Sequence, residues 1–288
     1  MKTSTETRIK AYKLMKELKK KEISKKETVD RINKEFEIST STLYDWYAGR
    51  NAPWESKEKI ENLEYNKELF YILGAMLGDG CIYYWRGQYQ VKIYGEEEFI
   101  RKCAEKLSIC LRKNINHYFY KSYYEKWGSN LWFINTVHKK LFILFKEIRS
   151  NPYRILDLMG KSNYKENSLQ FVEGFFDAEG CVKIIKEKVR KIPKICPDIC
   201  CTDYEYVELC RKLLKKHLNI EARYSIQKPK KHWNAKKTSY HLRIYRKEYV
   251  RRFFENINTT KLKPEKIQYV KNWLKNKDKK EIITLLPS

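Results

Sequence analysis

Two short segments one hundred residues apart hold the side chains best suited to chemistry. Asp79 is followed by Gly80 and Cys81, and Glu179 by Gly180 and Cys181. A carboxylate is a hard oxygen donor. Two of them side by side suit Mg²⁺, which keeps some of its waters, touches phosphate oxygens, and serves as Lewis acid and as a source of hydroxide. The charge of the 288-residue chain suggests the substrate class. It carries 61 Lys+Arg against 36 Asp+Glu, a net +25, which points to a polyanion. The basic residues also cluster. No acid occurs from Ala222 to Lys247, a stretch that contains Arg223, Lys228, Lys230, Lys231 and Arg243 with His232 and Trp233 interleaved. This pattern reads as a nucleic-acid face rather than a mixed solvated surface.

Whether the two acids meet depends on the elements that carry them, and a repeat sets those elements. Residues 66–81 lie over 166–181, matching Leu69/Leu169, Gly74/Gly174, Gly80/Gly180 and Cys81/Cys181. Further on the register returns at an offset of 107, with Cys103/Cys210 and Leu107/Leu214. Each copy starts with an apolar helix that ends at its acid–glycine pair, where glycine would accept positive φ. In the first copy there follow strands Cys81–Trp85 and Tyr89–Tyr94, a helix Glu96–Cys110, strands near Ile115–Lys121 and Leu131–Thr136, and a helix His138–Arg149. The second copy gives strands Cys181–Glu187 and Lys194–Cys201, a helix Tyr204–His217, strands Ala222–Gln227 and Ser239–Tyr245, a helix Lys247–Asn256, and a terminal helix from Pro264. The order αββαββα predicts an α+β fold with two four-stranded antiparallel sheets, each covered by helices on one face.

Gly74 and Gly78 lie on one helix stripe, and Gly174 and Ala178 on its equivalent. Glycine inside a helix costs about 1 kcal/mol, so such stripes need a packing reason. Helices packed on them would set Asp79 beside Glu179, two like charges at negative helix ends, and a divalent cation would relieve the conflict. An acid before a helix-ending glycine is common by itself; the paired stripes are what make these two ligands. Asp177 competes with Glu179 but lies about 200° round the helix, and its counterpart is Leu77. On the uncovered sheet faces the alternation presents Lys183, Arg223, Ser225, Gln227, His241, Arg243 and Tyr245 in the second copy. Tyr83, Trp85 and Gln90 are the equivalents in the first.

The segments Leu73-Gly-Ala-Met-Leu-Gly-Asp-Gly80 and Val172-Glu-Gly-Phe-Phe-Asp-Ala-Glu-Gly180 resemble the paired signature motifs of monomeric LAGLIDADG homing endonucleases, over roughly residues 66–275. The resemblance implies two pseudo-symmetric halves forming a saddle on the major groove of a long double-stranded DNA target. It implies Mg²⁺-dependent cleavage of both strands near the pseudo-twofold axis, two or three divalent ions there, and short 3′ overhangs. Asp79 and Glu179 then match the metal-binding acids, with the backbone carbonyls of Gly78 and Ala178 completing the shell. Lys263 is similar to a supporting lysine, and Lys92, whose repeat partner is taken as Ile199, is the weaker candidate in the first half. The alternative on the same fold is a non-cleaving DNA-binding regulator or an intron RNA maturase.

Residues 1–52 have no repeat partner and read as three helices resembling a helix-turn-helix domain. Ser24 and Glu27 form a capping-box pattern. Leu43 and Trp46 would pack inward, leaving Thr40, Ser41, Thr42 and Tyr44 to meet DNA. Residues 53–65 read as a linker, 66–160 as the first repeat and 161–288 as the second. The longest apolar stretch, Leu69–Leu77, is far short of the ~20 residues that span a bilayer, and the N-terminus has no signal core. The eight cysteines form no CxxC pair and the histidines fall at no zinc-like spacing, so the cysteines are expected to be reduced thiols in the cytoplasm. No membrane partner is expected.

Overall fold

The computed structural model describes residues 4–49, 61–120, 131–160, 163–185, 193–229 and 237–275. The chain divides into two compact units, Met1–Glu61 and Asn62–Ser288.

In the first unit, α1 (Thr5–Lys20), α2 (Lys25–Phe36) and α3 (Thr40–Tyr47) each begin behind a serine. The hydroxyls of Ser4, Ser24 and Ser39 accept the backbone N–H of Thr7, Glu27 and Thr42, satisfying donors the helix leaves open. Ser4 is the reason α1 starts at Thr5. The turn into α3 is fixed by left-handed Glu37 (φ +51°) and by Asn33 Nδ2 donating to the Ile38 carbonyl at 2.8 Å. Leu43 and Trp46 pack inward with Ala11, Met15, Val29 and Ile32, while Thr40, Ser41 and Tyr44 face solvent and Thr42 is half-buried.

The second unit contains both repeats. The first runs α4 (Lys67–Asp79), β1 (Gly80–Trp85), β2 (Gln88–Gly95), α5 (Glu97–Leu111), β3 (His117–Tyr120), β4 (Leu131–Val137) and α6 (Lys139–Ser150). A five-residue helix, α7 (Arg154–Leu158), leads to the second: α8 (Tyr164–Glu179), β5 (Gly180–Ile185), β6 (Lys194–Cys201), α9 (Tyr204–Leu218), β7 (Arg223–Gln227), β8 (Ser239–Arg243), α10 (Lys247–Asn256) and α11 (Pro264–Lys275). The sheets have orders β1-β2-β4-β3 and β5-β6-β8-β7, with every pairing antiparallel. Val91, Ile93 and Ile134 of one sheet, and Ile195, Ile199 and Leu242 of the other, turn onto the helices. All six belong to one continuous core shared by the two repeats. Of the residues read as linker, 62–65 are tied into this unit. The Asn62 carbonyl meets His138 Nε2 at 3.0 Å, Leu63 packs on the core, and Glu64 N–H donates to the Cys110 carbonyl.

Two details differ from the sequence reading. Gly80 and Gly180 end their helices at φ −95° and −92°, so positive φ is not why glycine stands there. The chain folds straight back from helix to strand, and a Cβ on Gly80 would come within 2.5 Å of the Met76 carbonyl oxygen. The strand register also reassigns a repeat partner. Cys81 pairs with Lys92 and Cys181 with Asp198, so the counterpart of Lys92 is Asp198 and not Ile199. The helix offset is 204 − 97 = 107 and the strand offset 198 − 92 = 106, because one extra residue falls between β6 and α9.

Candidate active site

Helices α4 and α8 meet backbone to backbone. A Cβ on Gly74 would run into the carbonyl oxygen of Phe171 and lie 2.8 Å from the Phe175 nitrogen. One on Gly174 would strike the Tyr71 carbonyl and lie 3.0 Å from the Ala75 nitrogen. One turn on, a Cβ on Gly78 would come within 2.5 Å of the Ala178 Cβ, 2.8 Å of Glu179 Cγ and 3.5 Å of Glu179 Oε1. Hydrogen at these positions lets the axes close, and the close approach brings the helix ends, and with them Asp79 and Glu179, together.

The electrostatics follow from that placement. Burial pushes the Asp79 carboxyl up to about 6, with the Lys261 ammonium opposing. Burial, and then the Asp79 charge, push Glu179 up to about 7, with Lys261 again opposing. Among the described residues neither carboxylate accepts a hydrogen bond or forms an ion pair. The donor set fits a hard divalent cation: two partly desolvated carboxylates side by side. Among the described residues no group of three His, Cys, Asp or Glu side chains forms a cage. Mg²⁺ held by two carboxylates keeps positions for water or phosphate.

The lysine whose charge acts on both acids is Lys261, a residue the sequence reading did not name as a candidate. The carbonyl of Lys263 instead accepts the N–H groups of Lys266 and Ile267, opening α11 behind Pro264, and its side chain is exposed. Proline at the first helical position marks the preceding residue as a backbone cap. Lys261 is held by a clamp built on Asp177, which is fully buried. Asp177 accepts from Tyr71 Oη (2.8 Å), Lys102 Nζ (2.9 Å), Thr259 Oγ1 (2.6 Å) and Thr260 N (2.8 Å), and Lys261 N–H donates to Thr259 Oγ1 (3.0 Å). Glu173 strengthens the clamp, accepting from Lys102 and from Asn258 N–H. The acid set aside as a ligand thus anchors the segment that carries the lysine. Lys92 lies beside Cys81, its ammonium 5.1 Å from the centre of the Tyr83 ring.

The strand registers put Lys183, Arg223, Ser225, Gln227, His241 and Arg243 on the helix-free face of the second sheet. Arg223 and Lys228 are exposed, Ser225, Gln227 and Tyr245 half-buried, and Lys230 and Lys231 lie outside the described residues. The sequence reading missed Asp198, a fully buried acid on that face. Lys183 Nζ (2.5 Å), Arg243 Nε (3.1 Å) and His241 Nδ1 (3.2 Å) all converge on it. Its parity with Cys196 and Cys200 was the available signal. His241 is only 5% exposed, so it braces this network and does not reach outward. In the first sheet Gln90 is likewise buried and takes a hydrogen bond from Tyr83 Oη, whereas Trp85 is exposed, with the Arg86 guanidinium 4.2 Å over its ring.

Residues 166–258, most of the second repeat, match the family model described as LAGLIDADG-like domain. Uncharacterized protein MJ0398 of Methanocaldococcus jannaschii is 29% identical over 260 residues, 86% of each chain. Uncharacterized protein MJ0314 of the same organism is 27% identical over 166 residues, 57% of this chain and 59% of that one. Among solved structures, a mesophilic variant of the homing endonuclease I-DmoI is similar at 20% identity and TM-score 0.45, covering 67% of this chain and 96% of that one. The N-terminal LAGLIDADG domain of DUF199/WhiA is similar at 16% identity and TM-score 0.46, covering 72% and 88%. Residues 166–258 are thus similar to a LAGLIDADG-like domain, within an α+β architecture of two four-stranded antiparallel sheets.

Proposed function

We propose that the chain is a site-specific DNA endonuclease of the homing type. In this reading it acts as a monomer, requires Mg²⁺, and cuts both strands of a long asymmetric duplex to leave 3′ overhangs. The observation that carries the reading is the pair of partly desolvated, unbonded carboxylates, Asp79 and Glu179, brought together at the ends of two abutting helices. Two like charges at the negative ends of two helices repel, so the pairing does not serve stability.

Asp79 and Glu179, with the carbonyls of Gly78 and Ala178, would hold the metal. Bound Mg²⁺ would supply Lewis acidity and an activated water. The Lys261 charge acts on both acids and would stabilise charge building on the scissile phosphate. The open sheet faces start at Cys81 and Cys181, two residues beyond each acid, so a duplex lying on them would present its backbone to the carboxylates. The exposed Thr40, Ser41 and Tyr44 of α3 give the first unit a surface that could lengthen the contacted site.

Incubating the chain with Mg²⁺ and a randomised duplex library tests this. Double-strand cuts at a defined sequence are expected, lost in Asp79→Asn and Glu179→Gln, while Ca²⁺ in place of Mg²⁺ keeps binding without cutting. Sequence-specific binding with no cleavage under any divalent ion would make the protein a regulator instead.

A further inference from the structure

The two open sheet faces share a register and differ in chemistry. Through the strand pairings Tyr83 corresponds to Lys183, Lys92 to Asp198, Tyr94 to Cys200, Phe133 to His241 and Tyr118 to Ser225. In the second sheet a buried acid gathers Lys183, His241 and Arg243 into an ion network. At the same register in the first sheet stands a lysine among rings. The Lys92 ammonium lies 5.1 Å from the centre of the Tyr83 ring and 5.7 Å from that of Phe133. Phe133 in turn stacks on Tyr94 (5.9 Å) and lies 5.4 Å from Tyr118. Tyr118 is 46% exposed and Trp85 53%.

These faces suit different base edges. The ion network holds N–H donors in fixed directions, which fits phosphates and the acceptor atoms of bases. The ring faces and edges offer a major groove apolar contact, and the Tyr83 hydroxyl is already bonded to Gln90 Oε1; the apolar group such rings meet there is the 5-methyl of thymine. Lys92 and the net charge of +25 keep the ring-lined face compatible with the phosphate backbone on either side. We infer that the first repeat reads a thymine-rich half-site through methyl contacts, while the second reads its half-site through hydrogen bonds. The inference rests on the duplex-DNA reading above and adds the specificity of one half.

The test uses the full chain in Ca²⁺, first to select bound duplexes from a random library. Each thymine of the selected site is then replaced by deoxyuridine, which removes only the methyl. The half-site beneath the first repeat is identified by its weakened footprint in Tyr118→Ser, a change at an exposed position to the residue the second repeat carries. Deoxyuridine in that half should weaken binding about fourfold for each buried methyl. The same replacement in the other half should have little effect, and Tyr118→Ser should blunt the response. Equal responses in both halves, or none, would overturn the inference and leave the endonuclease reading intact. So would a single-stranded oligonucleotide that displaces the duplex from the first repeat, since that face would then stack unpaired bases. If the library yields no bound duplex, the endonuclease reading fails first.

Discussion

Protons and metal compete for Asp79 and Glu179, and the direction of the competition can be worked out. Their carboxyls stand at about 6 and about 7, above the ordinary 3.8 and 4.5. The metal-free fold is therefore favoured while both are protonated, below about pH 4, and loses stability as the pH rises through 6 and 7. Thermal melts without metal should fall between about pH 4 and pH 7, and Glu179→Gln should flatten the fall. Added Mg²⁺ should raise the melting temperature at pH 8 and do little at pH 5; an equal rise at both would remove the two acids from the site. A second expectation separates the two lysines. Lys261→Met should lower the cleavage rate about 100-fold and move the acid limb of its pH profile upward, because the opposing charge is lost. Lys263→Met should stay within about threefold of the parent. That the two acids meet was legible because their glycines repeat in register. The placement of Lys261 near them was not, since it depends on the Asp177 clamp, which joins residues about eighty positions apart.

Helix–helix contact sets the demands at the scale of elements. Gly174→Ala places a methyl against the Tyr71 carbonyl, which is backbone and cannot swing away, so it should cost at least about 3 kcal/mol in denaturant unfolding. An unchanged midpoint would mean the axes are farther apart than described here. Asp177→Asn should cost about 3–5 kcal/mol, since it leaves Lys102 short of a buried partner. The order αββαββα, the helical faces and the sheet pairing all followed from periodicity and the repeat, because each rests on local alternation. The one-residue shift between β6 and α9 did not, because offsets counted on helices say nothing about a strand before the turn. Nor did the burial of His241: its alternation puts it on the open face, but Asp198 across the pairing draws it down. The short helix α7 carries too few residues for a period to show.

Charge and the shared core act on the whole molecule. With a net +25, binding to duplex should weaken steeply with salt, by about a thousandfold or more between 50 and 200 mM if six or more phosphates are neutralised. A shallow slope in a binding titration would point to a partner other than nucleic acid. No helix among the described residues is long and apolar enough to cross a membrane. Five of the eight cysteines are buried, and burial pushes the Cys110 and Cys201 thiols up to about 12, so these groups serve as packing. The glycine seam between α4 and α8 bears on the history and handling of the chain. Its two faces complete a single interior, so a fragment ending between the repeats would expose Leu73, Ala75, Phe171 and Phe175 to water. Severed halves should be insoluble apart and recover only when refolded in each other's presence, behaving as obligate partners that happen to share one peptide chain.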